Sequence, residues 1–184
     1  MTYKRFILSQ GLIMMASSMV FPFYVLLLNN VGNSYSQFGW AYGLFTLTAA
    51  LSYPVIGKVS DKIGDKTLFE IYCWSMAILM LIFPLVTEVW QVYILQILMG
   101  ILGAIQRNTE KTSLARTIEK EHAGKEIGKY HLWTSIGAAV AVILTGYIVD
   151  FITIGSIFYL ASLLYMISGI VLRKNKKENH ISNE

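Results

Sequence analysis

The 184-residue chain is 55% hydrophobic and 14% charged, with a mean hydropathy of +0.54, which excludes an ordinary soluble domain, where about a quarter of residues carry charge. Its net charge of +4 invites a nucleic-acid partner, but the basic residues are scattered over short polar segments between apolar runs and make no binding face, so no nucleic acid is expected. The single cysteine, Cys73, lies in an apolar run without an internal disulfide partner and reads as a small buried hydrophobe.

After a basic start, an apolar run over residues 6–28 exceeds the roughly 7–15-residue core of a signal peptide and reads as a first membrane helix. Pro22 predicts a kink in it, which membrane helices tolerate where neighbours or water satisfy the freed carbonyl. Beyond an uncharged turn at 29–36, a second run covers 37–56 and contains Pro54, and a third covers 68–85, beside Glu70 and ending near Pro84. The fourth run, 90–105, opens with Trp90 and Tyr93, whose rings suit a membrane interface. Residues 109–128 form a long polar connection, with Glu121 and Lys125 at the i,i+4 spacing of a pair on a short surface helix. The last two runs cover 132–149 and 154–172. Each run is near the roughly 20 residues that cross a hydrocarbon core. The chain is therefore expected to be an all-α membrane protein, with six transmembrane helices in a domain over 1–172 and a polar tail over 173–184.

All 15 lysines and arginines fall in the N-terminal segment, the 57–66 stretch, the fourth-to-fifth connection and the tail, and the three opposite turns hold none. By the positive-inside rule both termini are cytoplasmic, in a multi-pass protein of the cell membrane.

Residues 57–66 place Lys58, Asp61, Lys62, Asp65 and Lys66 in a tight polar turn between two membrane helices. Gly57 is expected to let the incoming helix approach a neighbour closely, and Gly64 to take φ > 0 where the chain reverses. Asp61 is placed to accept backbone N–H bonds or to sit at another helix's N-terminus, while Lys62 and Lys66 hold the turn in water. An ordinary cytoplasmic loop has the same composition, so the spacing decides. Gly57, Asp61, Lys62, Gly64 and Lys66 match every fixed position of G-x-x-x-D-[RK]-x-G-x-[RK], and the stretch resembles the signature between the second and third helices of the major facilitator superfamily. Asp65 departs from that pattern, which usually has a second basic residue there. The resemblance implies one half of a major facilitator fold, similar to the drug exporters.

On the fourth helix Gln96, Gly100, Gly103, Arg107 and Glu110 share one face. Two readings stand: a packing face on which the glycines admit a neighbour, and a cavity wall on which Arg107 and Glu110, one turn apart, pair. Drug:proton antiporters of the family carry R-x-x-x-G on this helix, and here Gln96 stands in place of the arginine before Gly100. Gln10, Met14, Ser17, Phe21 and Tyr24 share a face of the first helix, whose mixed chemistry suits apolar ligands or plain packing. Gly137, Ala141 and Thr145, with Gly146 beside them, make a small-residue packing face that looks like a degenerate form of the exporters' glycine-rich motif, without its proline. His131, near the inner end of the same helix, is either a titrating group or an interfacial one. The candidate cavity residues are thus Gln10, Ser17, Tyr24, Gln96, Arg107, Glu110 and His131.

The sequence holds no phosphate-cradling loop, metal-ligand cluster or nucleophile triad, so no cofactor, metal or catalytic residue is expected and the chain reads as a carrier, not an enzyme. Members of the family join two six-helix halves as parallel repeats. Half that length implies a half-transporter of an unknown small molecule, bathed in membrane lipid and completed by a homodimer or a second half-transporter. The other reading is a membrane assembly or regulatory protein, or a fragment of a twelve-helix carrier, that does not transport.

Overall fold

A computed structural model describes residues 3–31 and 34–173. The tail expected beyond Arg173 lies outside the described residues, as do positions 32 and 33 of the first turn. Six long helices follow one another: α1 (Tyr3–Val31), α2 (Tyr35–Ile63), α3 (Asp65–Ile82), α4 (Val89–Thr117), α5 (Ala123–Val149) and α6 (Ile154–Arg173). Short 3-10 turns at Phe83–Leu85 and Lys120–His122 complete the order, and no strand occurs among the described residues.

The six apolar runs each lie within one helix or its capping turn, but the helices outrun them. α2 continues through the polar residues to Ile63, and α4 to Thr117. An apolar run ends where the membrane ends, whereas a helix ends where its backbone hydrogen bonds are better made elsewhere, so helix formers such as Glu110, Lys111, Leu114 and Arg116 carry α4 onward. The long polar connection is therefore mostly helix. No separate surface helix forms around Glu121 and Lys125, and no ion pair joins them among the described residues; Lys129 and Glu126 pair instead, at 3.0 Å within α5. α1 runs through Pro22 and α2 through Pro54 without a break in the helix.

The turn expected over 57–66 shrinks to one residue. Gly64, with φ 83° and ψ 150°, alone separates α2 from α3 and donates its N–H to the Ser60 carbonyl at 3.0 Å. That backbone region is almost closed to residues with a Cβ. Gly64→Ala should lower stability by about 1–3 kcal/mol, read as a drop in thermal midpoint of the purified protein, and an unchanged midpoint would contradict the strain argument. Gly57 does not play its expected part: a Cβ there would meet nothing within 4 Å, because the close approach of α2 to a neighbour comes three turns earlier.

That approach is to α4. A Cβ on Gly100 would lie 2.5 Å from the Phe45 carbonyl oxygen, so the two backbones touch, and in lipid such contact is what drives helices together. α2 packs chiefly on α4, and α5 on α1; α3 packs on α4, and α6 on α1; α3 and α6 meet each other. Exchanging helices one to three with four to six maps this pattern onto itself, the arrangement of an inverted three-plus-three repeat. Hydroxyls that would cost energy in lipid are tied off. Ser162 donates to the Ala77 carbonyl at 2.8 Å, joining α6 to α3, and Ser9 and Ser168 hydrogen-bond at 2.5 Å between α1 and α6. Cys73 is buried beside Ser168, as its apolar setting predicts.

Five of the six helices are long and apolar enough to cross a membrane by length and composition; α2 is the exception. Its glycines, serines and threonines lower its hydropathy. Thr46 and Ser52 turn their hydroxyls back onto carbonyls of their own helix, at 3.1 Å to Tyr42 and 2.7 Å to Thr48, which removes much of the cost of placing them in lipid.

Candidate functional site

The helices enclose a cavity of about 500 Å³. α1 supplies Met14, Ser17, Phe21 and Tyr24, four members of the face predicted from helical spacing. The fifth, Gln10, is fully buried one turn below. α4 contributes Gln96, Gly103, Gln106 and Arg107, while Gly100 turns aside to meet α2. One face of α4 thus carries both a close helix contact, at Gly100, and cavity-lining residues. α3 adds Tyr72, Met76 and Met80, the 3-10 turn after it Phe83, and α6 Tyr165. Sequence reasoning missed these, because a Met and aromatic stripe at helical spacing looks the same whether it faces a core or a cavity.

Polar groups are few and placed. Ser17 donates to the Ile13 carbonyl at 2.8 Å, so the Tyr165 hydroxyl, 3.0 Å away, is left to donate to Ser17. The Tyr24 hydroxyl, buried and beside Gln96, meets hydrogen-bond geometry with no group in the structure. Toward the C-terminal end of α4, Gln106 links three helices. Its Nε2 donates to Glu110 Oε2 at 3.1 Å within α4 and reaches Gln10 Oε1 of α1 at 3.4 Å, while Tyr130 of α5 donates to Glu110 Oε1 at 2.6 Å. Gln10 Nε2 is left without a partner.

This chain corrects the expected pairing of Arg107 with Glu110. Both carboxylate oxygens of Glu110 are taken by Tyr130 and Gln106, and no ion pair involving Arg107 forms among the described residues. The reason is competition, since Tyr130 of α5 and Gln106 one turn back both reach the carboxylate, while Arg107 stays exposed on the cavity. Of the seven candidate cavity residues, Ser17, Tyr24, Gln96 and Arg107 line it. Gln10 and Glu110 reach it through Gln106. His131 does not: it is exposed on α5, its ring packed edge-on to Tyr130 at 5.1 Å between centroids.

Below the cavity lies the signature stretch. Arg116, near the end of α4, pairs with Asp61 at 3.3 Å and with Asp65 at 3.2 Å. Asp61 is exposed at the end of α2, so it caps no turn and its partner is a side chain. Asp65 is the buried one, at the first position of α3, and it also accepts from Ser60 Oγ at 2.5 Å. A carboxylate at a helix N-terminus is further favoured by the helix dipole. Lys62 is exposed, as expected, and Lys66 pairs with Glu70 at 3.7 Å. Among the described residues no group of three His, Cys, Asp or Glu side chains is placed to hold a metal.

Two three-helix repeats around an amphipathic cavity, with a charged hinge at one end, are the build of a membrane carrier. The chain belongs to the Major Facilitator Superfamily, whose family model matches residues 6–183. It is 44% identical over 159 residues to YitZ of Bacillus subtilis (strain 168), an uncharacterised MFS-type transporter, a match covering 86% of this chain and 97% of that protein. To the multidrug resistance protein MdtG of Proteus mirabilis (strain HI4320) it is 26% identical over 133 residues, 72% of this chain and 33% of that protein. For MdtG of Dickeya zeae (strain Ech586) the figures are 26% over 163 residues, 85% and 39%. The chain thus spans nearly the whole of the Bacillus relative but well under half of the MdtG proteins.

Proposed function

We propose that this chain is a half-transporter that carries a small, partly apolar molecule across the cell membrane and works as a dimer of six-helix units. The cavity carries the reading: Met, Phe and Tyr side chains form an adaptable wall, interrupted by Ser17, Tyr24, Gln96 and Arg107, which is how a site grips molecules of varied shape while fixing their orientation. The MdtG relatives, named for multidrug resistance, support a drug-like substrate. The pairing is supported by α5, whose Trp133, Ile136, Val140, Leu144 and Tyr147 are exposed in the monomer, and by Leu47, Leu51 and Val55 on its repeat mate α2. In full-length members of the fold two halves pack about an axis along the membrane normal, and a second copy in the same orientation places these faces together. Residues 1–172 form the transmembrane domain, α2 included, and 173–184 a cytoplasmic tail.

Both termini, the signature residues Gly57, Asp61, Lys62, Gly64 and Lys66, and the ends of α2 and α4 face the cytoplasm, because every Lys and Arg of the chain lies on that side. Buried Cys73 gives a quiet background for labelling. Cysteines at Thr87 or Thr153 should react with an impermeant thiol reagent in intact cells and one at Thr117 only after permeabilisation; the reverse pattern would overturn the orientation. Cysteines at Tyr147 should crosslink in native membranes at the mass of two chains. Purified dimer in proteoliposomes should move a lipophilic dye, and Met14→Trp, which fills the cavity, should stop it. A crosslinked dimer with no transport would favour an assembly or regulatory role, and capture of a different six-helix chain would make the partner a second half-transporter.

A further inference from the structure

We infer that the ligand of this cavity is an amphipathic anion, whose acidic group pairs with Arg107 while its apolar body lies on the methionine and aromatic wall. The inference rests on the carrier reading and gives the site its substrate class. Arg107 is the charged residue on the cavity lining, and no Asp or Glu of the described residues joins it there. The carboxylate nearest in sequence, Glu110, is already engaged by Tyr130 and Gln106. Arg107 makes no ion pair or hydrogen bond among the described residues, unlike Arg116 nine residues further along α4, which holds two aspartates. Nine residues place it about 13 Å along α4 from that cluster, just past the end of the fourth apolar run.

An ionised group that faces an apolar wall at the membrane boundary is best met by something opposite in charge or rich in hydrogen-bond acceptors. The planar guanidinium fork matches a carboxylate, sulfonate or phosphate with two parallel hydrogen bonds. The Tyr24 hydroxyl, also on the lining and without a partner in hydrogen-bond geometry, can donate to a ligand oxygen. A cationic ligand meets the reverse situation, a like charge and no carboxylate on the wall.

Equilibrium dialysis of the full chain in lipid nanodiscs tests this with two probes of similar apolar bulk, radiolabelled naphthalene-2-sulfonate and tetraphenylphosphonium. The sulfonate should bind saturably, the cation at least about tenfold more weakly. Arg107→Gln should weaken the sulfonate by about tenfold or more, Arg107→Lys should restore part of that loss, and Met14→Trp should remove binding altogether. If the cation binds as tightly as the sulfonate and Met14→Trp removes it, the carrier reading stands and the anion inference falls. Sulfonate binding that ignores Arg107→Gln also overturns it, and should that variant fail to fold, the wild-type preference between the two probes still decides. Binding of neither probe above empty nanodiscs sinks both readings.

Discussion

Gly100→Val is expected to prevent stable assembly of the bundle. A Cβ at this position would lie 2.5 Å from the Phe45 carbonyl oxygen and 3.0 Å from Thr48 Cβ, and the first of these is backbone that cannot swing away. α2 and α4 would have to separate along their shared interface, the most extensive in the molecule. Overpacking commonly costs about 1–3 kcal/mol, so Gly100→Ala should sit near the top of that range and the branched valine beyond it. Gly103 provides the control. A Cβ there would meet only the Phe45 ring, at 3.4 Å, so Gly103→Ala should fold with a small loss. Yield of monodisperse protein and its thermal midpoint read both; equal behaviour of the two alanine variants would refute the backbone-contact argument.

Asp65→Ala should destabilise the α2–α3 junction far more than Asp61→Ala, although Asp61 is the residue that matches the family signature. Both pair with Arg116, but the Asp65 side chain is only 9% exposed against 76% for Asp61. An exposed pair contributes about 0–1 kcal/mol. Asp65 adds the Ser60 hydrogen bond and the start of α3, and a hydrogen bond to a buried charge is worth about 1.5–3 kcal/mol. Since Arg116 is itself half exposed, a total loss near 2–3 kcal/mol is the sensible figure. Thermal unfolding at neutral pH would check the ranking, and equal shifts for the two variants would contradict it. A transport defect in Asp61→Asn with normal stability would then place that residue's role in motion, not in folding.

The contrast between these two aspartates marks what the sequence made legible. Helix number, helix order and the cavity face of α1 follow from hydrophobic runs and a 3.6-residue period, which are properties of the chain taken locally. Gly64 was equally readable, because a reversal between two long helices within one residue requires a backbone that other residues avoid. Which aspartate is buried was not readable, since that depends on where Arg116, 51 residues from Asp65, arrives through α4. The same limit explains Glu110. Sequence offered Arg107 as its partner because the two are neighbours on a helix, while Tyr130 reaches it only once α5 has folded back on the bundle. Tyr72 and Tyr165 escaped notice for the complementary reason: they look like core residues and serve as both core and cavity wall.

The single-residue link between α2 and α3 also sets how the molecule can move. Tyr42, on the cavity, lies 22 residues before Gly64, a lever arm of about 33 Å along α2. A tilt of only about 10° at the hinge carries the Tyr42 end through about 6 Å, enough to open or shut the space between its ring and α1. Because the backbones of α2 and α4 touch at Gly100, a swing of α2 about Gly64 would carry α4 with it, so Arg116 would keep Asp61 of α2 and part from Asp65 of α3. The Arg116–Asp65 pair at one end of the molecule would then act as a latch on a gate at the other.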